Sequence, residues 1–506
     1  MKTTRKTTPG IDNIDGRALK AVAVALAEPL CYFINESFEK GVFPDSLKHS
    51  KCVPIFKKGG SKFNKSDYRS VCIQSQIGKV LEAAFLERLT IFLEKNNLLS
   101  DTQHGFRKNR ATHTALSVIV DFIHDALNGR NEAVALLFDL TRAFDTVDHN
   151  LLLKKVWGIG IRGVAHSWIR SYLENRTQSV NIGNCTSRSR SIKVGVPQGS
   201  LLGPILFIMF SNDLSLACGK YGTIVSYADD TSILVSSGIV KNLIDSCNVE
   251  SNQFHNYCKV NGLHLNKKKT CYIRLLPKNA TIDNSLLLRL DNLSIRSTEC
   301  VKILGLIFDC KLKWHSHIDE LLQKISKTCY LFRCLRNCVS SHVLRSVYFA
   351  MVQSRLTYGI SFWGKSASAE KVFKLQKRLL RIMFYLHPRS SCKEIFVLHN
   401  ILTVPSLYIL DLVTNIKTKV CQFPRVGQIQ SSHNLRNNED LQMIFSRVEI
   451  IGKQNVNYLG VLCYNKVRKV IKDCDLMSIS LFKKKVRSHL SSRAYYSIDE
   501  YLCSQF

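Results

Sequence analysis

The chain has 506 residues, and 71 Lys and Arg against 39 Asp and Glu give a formal net charge of +32, a balance that points to a polyanionic partner. With 45% hydrophobic residues and only 10 prolines it can bury several cores, which excludes wholesale disorder; at roughly 150 residues per domain, about three domains or one articulated body are expected. No apolar run approaches the ~18 residues of a membrane span, so no membrane partner is expected, and the basic start MKTTRKTTPGID lacks the apolar stretch of a secretory signal. The 18 cysteines form no CxxC pairs and read as reduced intracellular thiols; Cys329, Cys334 and Cys338, on a predicted helix, are not spaced to converge on one metal.

In chain order, the periodicity predicts a helix over 17–40 ending at Gly41, and another over 78–96 with Leu81, Phe85, Leu89 and Phe92 on one buried face. Between them VPIFKKGGSKFNKSDYRS at 53–70 is basic and rich in turn signals, predicting a hairpin or exposed loop lined by Lys57, Lys58, Lys62, Lys65 and Arg69. The apolar run 133–138 suits a strand covered on both faces, and it ends in Asp139. A helical stretch at 148–175 leads to polar strands at 177–182 and 190–194, and VPQGSLLGP at 196–204 then opens an apolar helix. TIVSYADDTSILVSS at 223–237 predicts a compact hairpin with two carboxylates at its tip. A helix over 239–261 and a strand over 270–275 follow, and from about 315 the pattern is helical and basic, as in a separate lobe.

An ionised carboxylate at the end of a buried strand is costly unless something compensates it, and Asp139 is such a residue. Asp229 and Asp230 are held side by side by their turn, a like-charge pairing that raises pKa or recruits a divalent cation. Each alone is weak, because aspartates are ordinary turn residues. Together they supply what two Mg²⁺ ions need to clamp the attacking and leaving oxygens of an in-line displacement.

FDLTRAFDTVDH at 138–149, GVPQGSLLGPILF at 195–207 and YADDT at 227–231 resemble, in the right order, the catalytic motifs of reverse transcriptases. The text around them, QHGFRKNRATHTAL at 103–116, GIRGVAHSWIRSYLENRTQSV at 160–180, GLHLNKKKT at 262–270 and VKILGLIFDCKLKWHSHI at 301–318, is similar to non-LTR retrotransposon polymerases of the jockey-like (LINE) group. The resemblance covers most of 7–275, thins through SRLTYGISFWG at 354–364 and LQKRLLRIM at 375–383, and fades after about 420.

The resemblance implies an α+β right-hand polymerase. Residues 1–130 would form an N-terminal segment and fingers, and 131–300 a palm with an antiparallel sheet and interleaved fingers elements, inside a reverse transcriptase core at 40–310. A primer-grip hairpin and helical thumb would occupy 301–420, and 421–506 a basic extension of unknown role. It also implies an RNA-directed DNA polymerase that joins dNTPs to a primer 3′-hydroxyl on an RNA template. Asp139 and Asp229 would bind both Mg²⁺ ions, for which Mn²⁺ could substitute, with Asp230 catalytic beside them. Arg69, with Lys57 as companion, would engage the incoming nucleotide, while the Phe144 ring would leave no room for a 2′-hydroxyl. Gln198 and Gly199 would line the template side, Lys269 would approach the triphosphate, and Leu304 and Gly305 would form the primer grip. Trp314, His315 and His317 are expected to pack the base of the next helix.

Two departures stand out. YRSVCI at 68–73 stands where the family usually reads YRPISL, so Ser70 replaces a proline and Cys72 a small polar residue, which predicts a less rigid finger loop. The chain also begins near the polymerase's own first segment, leaving no endonuclease ahead of it as expected for this group. The alternatives are a catalytically idle RNA-binding remnant and an RNA-dependent RNA polymerase, against which Phe144 speaks. The expected workplace is the nucleus, or a cytoplasmic ribonucleoprotein, with the target DNA as primer.

Overall fold

A computed structural model describes residues 9–57, 59–276, 286–291, 293–426, 439–442 and 456–504; Lys58 of the predicted basic loop lies outside them. Two compact units divide the chain, one of residues 1–119, 134–272 and 283–297, the other of 120–133, 273–282 and 298–506.

In the first unit, α1 (Gly16–Ala21) starts at Asp15, whose carboxylate accepts from the Arg17 N–H, and α2 (Ala27–Lys40) ends at Gly41 with φ 66°. The single helix expected over 17–40 is therefore two, with turns between them. The physical reason is Pro29, whose ring would clash with the carbonyl four residues back in a continuous helix but is tolerated in the first turn of α2.

The basic stretch is a hairpin of β1 (His49–Phe56) and β2 (Tyr68–Ile73), in register with Cys52 opposite Cys72 and Ile55 opposite Arg69. Helix α3 (Gln76–Lys95) follows, and its buried stripe runs through Leu81, Glu82, Phe85, Leu89 and Leu93. Phe92 was expected on that face but is 39% exposed, while Leu93 is 0% exposed. Steps of four residues keep the stripe on one side here, and the expected step of three turned off it.

After α4 (Thr112–Asn128) comes β3 (Glu132–Phe138), whose residues 133–136 are sealed from solvent as the continuous apolar run demands. The helical stretch 148–175 is two helices, α5 (His149–Gly158) and α6 (Gly163–Leu173). Strand β4 (Thr177–Ile182) pairs in parallel with β1 and antiparallel with β5 (Cys185–Thr186) and β6 (Arg190–Ser191). The strand expected over 190–194 is thus only two residues long, with a single bridge from Val194 to Asp148 beyond it. Helix α7 (Gly203–Phe210) is apolar all round and buried all round, as such a helix must be.

A second sheet is ordered Arg296–Ser297, β9, β3, β8, β7, with β7 (Thr223–Tyr227), β8 (Asp230–Ser237) and β9 (Cys271–Leu275). The β7–β8 pair is antiparallel, as expected of this sheet, and the short edge strand Arg296–Ser297 runs parallel to β9. Between α7 and the β7–β8 hairpin lies α8 (Leu214–Ala217), and after β8 comes α9 (Val240–Val260), which covers the sheet and stacks Phe254 on Phe138 at 4.2 Å. Phe85, Trp168 and Tyr172 stack in succession under α3 and α6, at 4.0 and 5.8 Å.

The second unit holds the antiparallel pair Cys300–Ile303 and Leu306–Asp309, then helices. Trp314 packs on Phe308 at 5.0 Å and His317 is buried at the start of helix His315–Leu335. Helix Val404–Thr418 is buried on nearly every side and packs against Val456–Val470 and Ile479–Arg493. Contact with Val456–Val470 is so close that a Cβ on Gly460 would lie 2.7 Å from the Ile416 side chain. The helices beyond 456 therefore contribute to this unit's core, with Val461, Cys463 and Tyr464 fully buried. Among the described residues, no helix is long and apolar enough to cross a membrane.

Candidate active site

Asp139 is the first residue past central strand β3, and the segment before β9 is zipped onto it. The Asn266 N–H donates to the Asp139 carbonyl at 2.8 Å, the Thr141 N–H to the His264 carbonyl at 2.7 Å, and Leu140 bridges Leu265. That zipper delivers Lys269, whose Nζ is 3.4 Å from Asp139 Oδ2. Asp229 and Asp230 come from the β7–β8 turn, in which Tyr227 pairs with Asp230 and Ala228 takes a φ of 57°. Because β8 lies next to β3 in the sheet, the two carboxylate sources are neighbours.

Burial pushes the Asp229 carboxyl above the usual carboxylate range, and the charge on Asp139 adds to the push; its own backbone N–H and the Arg69 guanidinium oppose it. Burial also raises Asp230, helped by Asp229 and Asp139 and opposed by Lys269. Three acidic groups thus feel one another in a half-buried setting, and Arg69 and Lys269 are cations that answer them. Among the described residues no three His, Cys, Asp or Glu side chains are grouped tightly enough to hold a metal ion by themselves. Magnesium asks for less, since it binds through one or two carboxylates and completes its shell with water and phosphate oxygens. Asp229 and Asp230, both raised by burial and by the charge of Asp139, carry negative charge that such an ion relieves, so the donor set fits it.

Phe144 lies on the short turn Ala143–Asp145 with its ring 4.5 Å from Phe207 of α7. The Val196 N–H donates to the Phe144 carbonyl at 2.8 Å, and the Gly195 N–H to the Val147 carbonyl at 2.7 Å. Gln198 is brought to the same turn: its Nε2 donates to Asp145 Oδ1 at 2.6 Å, opposing the rise in the Asp145 carboxyl that burial causes. Asp145 stood within the first quoted motif, but nothing in the linear pattern marked it as the partner of Gln198.

Gly199 sits at φ 108°, and a Cβ there would be 2.5 Å from the Cys72 carbonyl oxygen. The Cys72 N–H in turn donates to the Gln198 carbonyl at 2.9 Å, so β2 pins the Gln198–Gly199 peptide from one side. Gly199→Ala should therefore clash with backbone rather than with a side chain that could turn away. We expect a stability loss of about 2–4 kcal/mol, read as a lowered melting temperature. An unchanged melting temperature would contradict the close approach.

Arg69 is exposed on β2, while Lys57 follows β1, its N–H donating to the Asp67 carbonyl at 2.8 Å. Of this pair Arg69 is the one whose charge reaches Asp229. Ser70 pairs opposite Pro54 within an unbroken ladder. Cys72 is buried with its sulfur 2.8 Å from that of Cys52; their hydrogen bond lowers the Cys52 thiol to about 7 and pushes Cys72 up. In the second unit, Leu304 (φ 44°) and Gly305 (φ 90°) form the turn of the Cys300–Asp309 hairpin, and the Tyr358 hydroxyl donates to the Leu304 carbonyl.

Sequence reasoning missed Glu82. It is 1% exposed, and its Oε2 accepts from the N–H groups of Leu201 and Leu202 at 2.7 and 3.4 Å, while Oε1 accepts from the Tyr172 hydroxyl at 3.1 Å. The Gln74 amide, oriented by its partners, bridges Glu82 to Arg176, which is also fully buried. Burial pushes the Glu82 carboxyl up against the pull of Arg176 and these donors. The signal was present in the sequence: an acidic residue in the middle of the α3 apolar stripe, one step from Leu81 and three from Phe85.

The sequence profile described as "Reverse transcriptase (RNA-dependent DNA polymerase)" matches residues 55–308. The chain belongs to that family. Its reverse transcriptase segment is half of the chain and contains every candidate residue from Lys57 to Gly305. Reverse transcriptases normally use divalent metal ions. The chain is 26% identical over 388 residues to the RNA-directed DNA polymerase from mobile element jockey of Drosophila melanogaster, and 29% over 395 residues to that of Drosophila funebris. Each match covers 74% of this chain and 42% of the other, so the chain spans about two-fifths of the length of these relatives. The non-LTR resemblance read from the motifs agrees with these relatives. A telomerase from Candida tropicalis aligns at 14% identity with a TM-score of 0.40, over 85% of this chain and 74% of that one, a likeness too distant to define the fold.

Proposed function

We propose that this reverse transcriptase copies RNA into DNA as the polymerase of a non-LTR retrotransposon, extending a DNA primer 3′-hydroxyl with dNTPs. The observation that carries the reading is that Asp139, just past β3, and the Asp229–Asp230 turn come from neighbouring strands of one sheet, with Lys269 Nζ 3.4 Å from Asp139 Oδ2. Asp139 and Asp229 would hold two Mg²⁺ ions, which supply Lewis acidity to the attacking 3′-oxygen and to the departing pyrophosphate. Asp230 shapes the charge beside them.

Arg69 offers a planar fork with several donors to the triphosphate, with Lys57 near the base of the same hairpin turn. Lys269 is the group suited to deliver a proton to pyrophosphate as it leaves. The Phe144 ring, backed by Phe207, forms a wall against a ribose 2′-hydroxyl. Gln198, steadied by Asp145, and Gly199 would meet the template side, and the Leu304–Gly305 turn would support the primer end.

The test is extension of a DNA primer on a poly(rA) template with Mg²⁺, comparing dTTP with UTP. Wild type should incorporate dTTP and exclude UTP, and Phe144→Val should relax that discrimination by roughly tenfold to a hundredfold. Incorporation of UTP by wild type would mean an RNA polymerase, and template binding without extension an idle remnant. Either result overturns the proposal.

A further inference from the structure

We propose that Gln103 is a positioning residue that holds the catalytic turn at Ala228–Asp229 in place through its side-chain amide. The inference rests on the polymerase reading above and adds to it a support that reaches the carboxylates only through backbone. Gln103 is 6% exposed, far too buried for its amide to be idle. Its Oε1 accepts from the Ala228 N–H at 2.9 Å and from the Gly105 N–H at 2.8 Å, and its Nε2 donates to the Ala228 carbonyl at 3.3 Å. One side chain thus satisfies both polar groups of the residue that immediately precedes Asp229, as a neighbouring strand would.

The need for such a support lies in the turn itself. Ala228 takes a φ of 57°, a conformation that L residues rarely adopt and that glycine usually supplies in a two-residue hairpin turn. Without an outside constraint the turn would relax, and Asp229 would swing with it.

The surrounding segment is built to keep Gln103 at this station. The Ser226 N–H donates to the Thr102 carbonyl and the His104 N–H to the Ser226 carbonyl, both at 2.8 Å, so residues 102–104 run along the free edge of β7. Gly105 completes the fit: a Cβ there would lie 2.5 Å from the Ala228 nitrogen. His104 is anchored to Thr114 at 2.8 Å, and Arg107 ties the loop to Glu94 of α3 at 3.0 Å and to the Ser100 carbonyl at 2.7 Å. The loop is therefore a fixed bracket, and Gln103 is its contact with the tip.

Two substitutions test this by hydrogen exchange on the metal-free protein, together with steady-state dTTP incorporation. Gln103→Met keeps the length and loses both kinds of partner; Gln103→Glu keeps the acceptor for the Ala228 and Gly105 N–H groups. In Gln103→Met, peptides covering 226–230 should exchange about tenfold faster while those of α9 and β3 keep their protection. Its kcat should fall by up to about 10²-fold at little-changed KM for dTTP, the mark of misplacement rather than lost binding. Gln103→Glu should keep slow exchange at 226–230 and recover part of kcat.

Unchanged exchange at 226–230 in Gln103→Met overturns the inference. So does loss of protection throughout the first unit, or failure of Gln103→Met to fold while Gln103→Glu folds but exchanges fast at 226–230, because Gln103 would then be a packing residue. A kcat loss equal in both variants likewise overturns it. If wild type itself extends no primer, the polymerase reading fails, and the exchange comparison still decides the role of Gln103.

Discussion

Asp229→Asn should remove polymerisation almost completely and leave the protein as stable as before or more so. Asparagine matches the size of aspartate and keeps one oxygen acceptor, so the turn has no steric reason to change. What it loses is the charge. If transition-state stabilisation falls by about 4 kcal/mol, kcat drops roughly 10³-fold. On the stability side the substitution removes a half-buried charge that burial and Asp139 both disfavour, and it relieves the repulsion that Asp229 exerts on Asp230. Loss of activity with a melting temperature equal to or above wild type is the combined signature, measured by primer extension and thermal unfolding. An active Asp229→Asn enzyme would sink the catalytic assignment, and an inactive but destabilised one would point to a structural role for the carboxylate.

The second large effect is expected at Glu82, in the buried core. Glu82→Ala would strand the buried Arg176 guanidinium and leave the N–H groups of Leu201 and Leu202 and the Tyr172 hydroxyl without their acceptor. Breaking one side of a buried charged network costs about 3–5 kcal/mol, a large share of a domain's whole stability. The damage should not stay in the core. Leu201 and Leu202 lead into α7, and the segment just before them carries Gln198 and Gly199. We expect a sharply lowered midpoint in denaturant unfolding, with Glu82→Gln much milder because it keeps an acceptor for the helix start. Equal stability of Glu82→Ala and wild type would show that the network contributes nothing.

The features legible in the sequence were those that local pattern dictates. The apolar run before Asp139 suits a strand sealed on both faces, which β3 is, and the Ala-Asp-Asp segment reads as the tip of a hairpin, which β7 and β8 form. Their adjacency in one sheet then followed from strand pairing. What could not be read were side chains that serve distant backbone. Gln103 meets Ala228 across 125 positions and Glu82 meets Leu201 across 119, and no periodicity records such a meeting. The parallel pairing of β1 with β4 is equally remote, joining His49 to Thr177. The split of the first helix was written in the chain as Pro29, and the error lay in giving hydrophobic spacing priority over a residue that cannot continue a helix.

The bond from the Cys72 N–H to Gln198 has a mechanical corollary. Arg69 lies three residues before Cys72 on the same strand, and Gln198 is fastened at its carbonyl to that strand and at its amide to Asp145, beside Phe144. A tilt of the basic hairpin is therefore felt at the Asp145 turn, as a lever and its fulcrum share one rod. Substitutions along β2 and in the loop at 197–199 should show strong epistasis with each other, even where neither touches a nucleotide.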